Sequence, residues 1–268
     1  MNSLWNDLGF ACRVLLKSSR FTIAVVVTLG IGIASNTIIF GLARSIFLRG
    51  VRYPDSKRLV YVSQAYPGFP EGGGQFAYPI YRDIVQQNKS FESLAAYQVS
   101  GPLALTDGGQ AVRVAVTYCT PNYFTLLGVP TAAGRVFQEN EDRFGSGDPV
   151  VVLSHAFWQR QFSGAPDIIG RTIHLNERPF TVIGVTEENF RDSLYEQEFG
   201  EEGSAWVPLG LAYTMTGFSG PNDRVGTNLW GIGQLKPGVS VREAHADLEA
   251  LAKRFESFKR HRGYLRPG

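Results

Sequence analysis

Histidine, serine and cysteine side chains could ligate a metal or act as nucleophiles in this chain, but their spacing favours neither function. The four histidines form no HExxH motif and no pairing with cysteines at the spacing of zinc ligands. Ser154 lies directly before a histidine, whereas the members of a nucleophilic triad converge from separate elements. We therefore predict no catalytic and no metal-ligating residue. The histidines are His155, His174, His245 and His261.

Two further motifs are relevant to catalysis. The run Gly217-Phe218-Ser219-Gly220 resembles a nucleophile elbow only superficially, because its second glycine is one position early and Pro221 follows. A turn explains this run better. The phosphate-binding sequence GxxxxGK[ST] does not occur, so the chain does not itself bind and hydrolyse a nucleotide through that motif.

The segment 21–43 contains the last candidate motif and also decides the class of the protein. Gly30 and Gly32 follow an apolar run, as in a dinucleotide-binding turn, but Ser35 stands where a third Gly or Ala is needed and the first acidic residue downstream is Asp55. The segment has no charge, and as a helix it would span about 34 Å, enough for the roughly 30 Å core of a bilayer. We predict a transmembrane helix over 21–47 and no cofactor; a nucleotide-binding oxidoreductase is the alternative.

Small residues in this helix suggest how it would pack. Gly30 and Ala34 form a small-xxx-small pair suited to close contact with another membrane helix, although such residues also occur in membrane helices without marking an interface. Residues 1–20 are predicted to form an amphipathic interfacial helix, or else an extension of the membrane helix. The apolar run is too long and too far from Met1 for a cleaved signal peptide. Basic residues flank both ends, and their count leans weakly against a cytosolic amino terminus.

Composition limits the partners and the redox chemistry. The net charge of +2 is small and the basic residues are scattered, so the sequence does not indicate a nucleic-acid-binding surface. Cys12 and Cys119 lie on opposite sides of the membrane segment, so no disulfide is expected. Cys119 follows an apolar-rich run and is expected to be a small core residue.

Residues after the membrane segment show both strand and helix patterns. Ser240 and Glu243 form a capping box at the start of the clearest helix, whose apolar stripe is typical of a core-facing surface and less often of a partner-binding one. Alternating valines in 111–118 predict a strand with one buried face. Residues 67–74 are predicted to be a flexible loop and 187–202 a solvated loop. Other predicted strands are 58–62, 103–105, 150–153, 172–175, 180–185 and 229–235, and further helices begin near Pro79 and Ser154.

Several phrases, in order along nearly the whole chain, resemble one protein family. Residues 29–40, LGIGIASNTIIF, resemble the first membrane helix of MacB-like, FtsX-type ABC transporter permeases, and 53–60 resemble the strand that opens their periplasmic core domain. The resemblance is closest to the branch of duplicated orphan permeases. Further phrases are PNYF at 121–124, LGV at 127–129, GRVF at 134–137, VLS at 152–154, FW at 157–158, IGRT at 169–172, TVIGV at 181–185 and LKPGVS at 235–240.

The resemblance implies an α+β fold in which one membrane helix precedes a two-part periplasmic core domain. A porter-like α+β part would comprise residues 50–128 and 227–260, a mostly-β part would be inserted at 129–226, and 261–268 would be a tail. The sequence pattern changes near residues 129 and 227, in agreement with that division.

The resemblance also implies a location and partners. The amino terminus would be cytosolic, the helix would cross the inner membrane bilayer, and the core domain would be periplasmic. A separate cytosolic ABC ATPase would hydrolyse ATP, further permease helices would join the assembly, and a homodimer would transmit motion. Because the family has membrane helices after the core domain, the chain is expected to be a truncated or split permease. A stand-alone membrane-tethered binding module is the alternative.

Overall fold

A mixed β-sheet with helices on both faces forms the framework of the described part of the chain. The computed structural model describes residues 56–66, 69–106, 111–191, 203–217, 220–224 and 228–261. All of them belong to one compact unit, Tyr53–Gly268. The predicted helices at 1–20 and 21–47, with Gly30 and Ala34, lie outside the described residues. Within the described ranges, no helix is both long enough and apolar enough to cross a bilayer.

Thirteen strands and five helices follow one another in these ranges. The strands are β1 Leu59–Val62, β2 Gln64–Tyr66, β3 Phe69–Gly74, β4 Phe91–Val99, β5 Leu103–Leu105, β6 Val112–Val114, β7 Val116–Cys119, β8 Thr131–Gly134, β9 Val150–Leu153, β10 Thr172–Leu175, β11 Arg178–Thr186, β12 Ala205–Pro208 and β13 Trp230–Leu235. The helices are α1 Tyr78–Gln87, α2 Tyr123–Leu127, α3 His155–Phe162, α4 Ala212–Thr216 and α5 Val241–His261. Short 3-10 turns occupy Ser56–Arg58, Glu139–Glu141 and Leu209–Leu211.

The strand order of the large sheet is β1-β13-β4-β7-β12-β9-β11-β10-β5-β6, and β8 also pairs with β11. Strand β13 is antiparallel to both β1 and β4. Strands β1 and β4 are therefore parallel to each other and are connected through α1, which makes a split β-α-β unit. Strand β7 pairs with β12 in parallel, and β12 pairs with β9 in antiparallel orientation. The sheet thus continues from the β1 edge to the β6 edge.

Two hydrophobic cores lie on opposite faces of the sheet, because successive strand residues point to opposite sides. The first core contains Leu94 and Ala96 of β4 and is covered by helices that contribute Ile84, Phe157 and Ala244. The second core contains the intervening Ala95 and Tyr97 together with Trp206 of β12, and it is covered by α2. Strands β7, β9 and β12 are buried at every position. Burial on both faces explains the continuous apolar runs of β9 and β12.

Helix boundaries agree with the local sequence signals. Ser154 caps α3, since its hydroxyl accepts a hydrogen bond from the Phe157 N–H at 3.1 Å. The predicted capping box of α5 is confirmed: the Ser240 N–H donates to Glu243 Oε2 at 2.8 Å, and the Glu243 N–H donates to Ser240 Oγ at 3.3 Å. Helix α5 is fixed to the start of β4 because Asp247 Oδ2 accepts a hydrogen bond from the Lys89 N–H at 2.8 Å.

Two local predictions were wrong, and a third missed one buried residue. Residues 111–118 do not form one strand with a single buried face: β6 pairs with β5, whereas β7 pairs with β4 and β12 and is buried on both sides. Residues 69–74, predicted as a flexible loop, form β3 against β2. In the segment predicted to be a solvated loop, the described residues 187–191 form neither helix nor strand, and Glu188, Asn189 and Arg191 are exposed. Phe190 alone is buried there, and it packs against Trp206 with ring centroids 5.3 Å apart. In each case a distant partner decided the local structure.

The predicted division at residues 129 and 227 stays a prediction. Pairing in the sheet runs across the boundary at residue 129, since β7 pairs with β12 and the β5–β6 hairpin adjoins β10. At that contact the Ala104 N–H donates to Asn176 Oδ1 at 2.7 Å, and the Asn176 N–H donates to the Ala104 carbonyl at 2.8 Å.

Candidate functional site

A cleft of about 570 Å³ lies beside α1, between that helix, the start of β4 and the Glu139–Glu141 turn. Its size falls within the range of small-molecule pockets, roughly 300–1,000 Å³. Aromatic rings, carboxylates and an amide line it together. The lining residues are Tyr78, Tyr81, Val85, Asn88, Phe91, Glu92, Ser93, Leu94, Thr120, Pro121, Asn122, Glu139, Asp142 and Lys236.

Helix α1 supplies one wall of this cleft. Tyr78, Tyr81, Val85 and Asn88 recur at steps of three and four, which places them on one face of the helix. Asn88 ends the helix: its N–H and its Nδ2 both donate to the Ile84 carbonyl at 2.9 Å. The side-chain oxygen of Asn88 then accepts from the Phe91 N–H at 2.8 Å, which fixes the turn into β4.

A hydrogen-bond network makes the floor of the cleft rigid. Thr120 Oγ1 accepts from the Ala96 N–H at 3.1 Å and donates to Asn122 Oδ1 at 2.7 Å. The Asn122 amide nitrogen donates to Ser93 Oγ at 3.1 Å and to the Leu94 carbonyl at 2.9 Å. The Tyr81 hydroxyl donates to the same carbonyl at 3.2 Å. Both ends of the Asn122 amide are therefore occupied by the protein itself.

Asp142 is the most perturbed acidic group of the cleft. Its Oδ1 accepts a hydrogen bond from the Gly210 N–H at 2.5 Å, and its second carboxylate oxygen accepts none from any residue that the structure describes. Burial raises the pKa of Asp142 to about 6, and the Gly210 hydrogen bond opposes that rise. A carboxyl with this pKa changes charge near neutral pH and is fixed in position.

Tyr78 and Tyr81 line the cleft together with this carboxyl, and Tyr78 belongs to an aromatic cluster. The Tyr78 ring packs against Phe144 at 4.9 Å between centroids, and Phe144 packs against Tyr213 at 5.5 Å. Burial, followed by the Asp142 charge, raises the pKa of Tyr78. Burial also raises the pKa of Tyr81 strongly. Both phenols are therefore neutral at physiological pH.

The adjacent Glu141 has the opposite electrostatic environment. Arg135 binds both of its oxygens, with Nη1–Oε2 at 2.9 Å and Nη2–Oε1 at 2.6 Å. The hydrogen bond from Arg135 and one from the Gln138 N–H hold the pKa of Glu141 below its usual value, against the effect of burial. This ion pair fixes the turn that carries Asp142.

Residues of the sequence motifs that support the family resemblance make structural contacts in the fold. In GRVF, Gly134 has φ +69° and approaches β11 so closely that a Cβ atom would stand 2.1 Å from the Ile183 carbonyl oxygen. Phe137 of the same phrase packs against Phe124, the last residue of PNYF, with centroids 5.9 Å apart. Phe124 in turn contacts Trp206 at 5.5 Å. These motifs position strands and core residues.

The three histidines whose side chains the structure describes do not converge on a common site. The His155 ring contacts Trp158 at 5.3 Å, His174 lies on β10, and His245 Nε2 is 3.5 Å from Glu249 Oε1. The side chain of His261 lies outside the described part. Over the described ranges, no group of three or more His, Cys, Asp and Glu side chains could hold a metal ion.

The remaining motif residues have structural positions. Gly217 ends α4 with φ +71°, while Phe218 and Ser219 are not among the described residues. Cys119 is fully buried in the second core, as predicted. Sequence reasoning missed Asp142 as a site residue. Its only signal was an acidic run, which did not distinguish the buried Asp142 from its neighbours.

Comparison with known proteins identifies the relatives of this chain. A family model described as MacB-like periplasmic core domain matches residues 22–251. The Macrolide export ATP-binding/permease protein MacB of Shigella dysenteriae serotype 1 (strain Sd197) is 26% identical over 188 residues, which cover 68% of this chain and 28% of that protein. The MacB protein of Escherichia coli (strain K12) has the same identity and coverage. The aligned part thus spans little more than a quarter of these relatives.

Solved structures share the fold. The periplasmic region of MacB from Actinobacillus actinomycetemcomitans superposes with a TM-score of 0.56 at 16% identity, covering 78% of this chain and 94% of that one. The extracellular domain of the noncanonic ABC-type transporter YknZ from Gram-positive bacteria gives a TM-score of 0.53 at 13% identity, covering 74% and 95%. The α+β fold of the described residues is therefore the fold of these extracytoplasmic domains.

Proposed function

Because this chain belongs to the family of MacB-like periplasmic core domains, we propose that it is a permease component of an ABC transporter, acting in ATP-driven export or in mechanical transmission across the membrane. The family match over residues 22–251 is the observation that carries this proposal, since it includes the apolar segment as well as the core domain. ATP hydrolysis is assigned to a separate cytosolic ATPase. The proposed role of this chain is to couple that ATPase to the periplasm.

The proposed topology follows from the uncharged segment. Residues 21–47 cross the inner membrane, the amino terminus is cytosolic, and the core domain is periplasmic. Gly30 and Ala34 pack against further permease helices, because small side chains allow two helix backbones to approach closely. The count of positive charges at the two ends of the segment leans weakly against this orientation, which is why it needs a direct test.

Continuity of the sheet supports a role in transmission. Hydrogen-bonded strands connect β1, the first described strand after the proposed membrane segment in sequence, to β6 at the far edge. Close-packed interiors have low compressibility, so a displacement at one edge moves the whole body. We assign the porter-like part to 50–128 and 227–260 and the inserted part to 129–226, and we propose that a homodimer of permeases carries the motion.

Topology is tested by labelling the full chain in intact cells with a membrane-impermeant thiol reagent. Asp167→Cys, at an exposed position, is expected to be labelled in a background in which Cys12 and Cys119 are serine. A chain that retains only Cys12 is expected to be labelled only after the cells are permeabilised. The reverse pattern contradicts the proposed topology.

Assembly is tested by recovering partners of the full chain from detergent-solubilised membranes. An ABC ATPase is expected to co-purify, and Gly30→Leu or Ala34→Leu is expected to reduce the recovery of partner helices. Val25→Leu is the matched control, because in the proposed helix this apolar residue would lie on the face opposite the small-xxx-small pair. Recovery of a monomer with no ATPase from native membranes refutes the permease proposal.

The cleft beside α1 favours one second candidate, a membrane-tethered ligand-binding module. Such a module would bind its ligand without any ATPase, whereas a transmission element would need the partner complex. Ligand binding by a chain that recruits no ATPase would favour this second function.

A further inference from the structure

We propose that the cleft beside α1 binds a small organic cation, a protonated amine with an aromatic or aliphatic body, and that the Asp142 carboxylate is its counter-ion. This site is independent of the proposed permease function, because the permease proposal requires no ligand in this cleft. Its volume suits a small molecule, and its walls combine rings with carboxylates.

The charges around the cleft select a cation. Three lining residues are acidic and one is basic. The basic one, Lys236, already donates from Nζ to the Lys89 carbonyl at 2.8 Å, so its ammonium group is held at the rim. Among the acids, Glu92 binds Arg58 at 2.7 Å, which leaves Glu139 and Asp142 to attract a positive group.

The position of Asp142 makes its carboxylate a suitable anchor. The Gly210 N–H holds Oδ1 at 2.5 Å, so the group is oriented before any ligand arrives. The second oxygen accepts no hydrogen bond from the described residues and can accept one from an ammonium group. The aromatic walls at Tyr78, Tyr81 and Phe91 would cover the apolar body of the ligand, and a ring face near the ammonium adds cation–π attraction.

Ionisation of Asp142 adds a testable pH dependence. The ionised carboxylate binds an ammonium group and the protonated acid does not, so binding is expected to strengthen as pH rises through about 6. Five other charged groups face Asp142 or the cleft from neighbouring elements. They are Glu139, Glu92 with its partner Arg58, Lys236, and Arg82 beside Tyr78.

The test measures binding of 2-phenylethylamine to the purified full chain by ligand-observed NMR titration. The neutral 3-phenyl-1-propanol and the anionic 3-phenylpropanoate serve as comparison probes. Asp142→Asn is expected to weaken amine binding about tenfold or more and to abolish its rise with pH, because it removes a charge-assisted hydrogen bond. The asparagine oxygen can still accept from the Gly210 N–H, which preserves the fold.

Two further variants separate this site from nonspecific attraction. Asp167→Asn removes the same charge at an exposed position outside the cleft and is expected to leave binding unchanged. Val85→Trp adds bulk at a 45% exposed rim position and is expected to block the amine. Equal amine binding by wild type and Asp142→Asn, equal weakening in Asp167→Asn, or equal binding of the anionic probe overturns the proposal. None of these outcomes alters the permease proposal, which depends on topology and ATPase recovery.

Discussion

Replacing Gly184 by alanine tests the contact between β8 and β11 on which the 134–142 segment depends. A Cβ atom at Gly184 would stand 2.1 Å from the Arg135 carbonyl oxygen and 3.1 Å from its carbonyl carbon. Both atoms belong to the backbone, so no side-chain rotation can relieve the clash. Gly184 does not need a positive φ, and the cost is therefore steric.

The size of the effect follows from this geometry. Ordinary contact begins at 3.4 Å, so β8 must move away from β11 by more than 1 Å. That movement strains the hydrogen bond from the Arg135 N–H to the Ile183 carbonyl, now 2.9 Å. Overpacking costs roughly 1–3 kcal/mol and a lost hydrogen bond about 1 kcal/mol. We expect the free energy of unfolding to fall by about 2–4 kcal/mol, and Tm by about 5–15 °C.

Thermal and urea unfolding of the full chain, followed by circular dichroism, measure this change. Gly101→Ala is the matched control, because a methyl group added at Gly101 would meet no atom within 4 Å and the φ of this glycine is not positive. Its Tm is expected to stay within about 2 °C of wild type. Equal midpoints for Gly184→Ala and Gly101→Ala would refute the steric reasoning, since the two variants differ only in the space available.

Three further predictions concern buried polar groups. Tyr118→Phe is expected to raise the free energy of unfolding by about 1 kcal/mol, because the Tyr118 hydroxyl is buried without a hydrogen-bond partner among the described residues. Tyr81→Phe loses the hydrogen bond to the Leu94 carbonyl and is expected to lower the free energy of unfolding by a similar amount. Equal effects of the two variants in urea titrations would contradict this prediction. The folded-state pKa of Asp142 is about 6, above the ordinary 3.8, so its contribution to stability is greatest below pH 4 and is lost as pH rises toward 6. Asp142→Asn is expected to abolish this loss, which amounts to at most about 3 kcal/mol. A variant whose stability depends on pH in the same way as wild type would count against the prediction. The pKa of Glu141 is lowered, so its pH dependence is opposite to that of Asp142: its contribution to stability is present above its ordinary pKa of 4.5 and is lost as pH falls. Arg135→Met is expected to remove this loss of stability at acidic pH in unfolding curves measured from pH 3 to 7. Arg160→Met, at an exposed position, is the control.

Local signals in the sequence were sufficient for many elements but not for their arrangement. The apolar run before Ser154 and the capping box at Ser240 gave a strand and two helix starts, because caps and periodicity act within a few residues. Strand β12 was missed, since only four residues, Ala205–Pro208, carry it between less regular segments. Its pairing with β7 joins positions almost ninety residues apart, as in Trp206 with Thr117. No local pattern specifies such a contact.

The cleft could not be predicted for the same reason. Glu141 and Asp142 are consecutive acidic residues, yet one binds Arg135 and the other contacts Gly210. Their environments differ because the chain from 135 and the chain from 210 meet at this turn. Tyr78 and Tyr81 were expected only as part of a helix, and their role as a wall depends on where the Glu139–Glu141 turn packs.

The pairing of β1 with β13 also determines when the domain can complete its fold during synthesis. Leu59 pairs with Gln234, so the first strand of the sheet has no neighbour until the last strand has been made. At ribosomal rates of about 5–20 residues per second, that interval lasts roughly 10–35 s. Throughout this time the edge of β4 that later pairs with β13 is also open. A nascent chain of this protein therefore carries two strand edges that only β13 can pair, and unpaired edges of this kind are sites of aggregation.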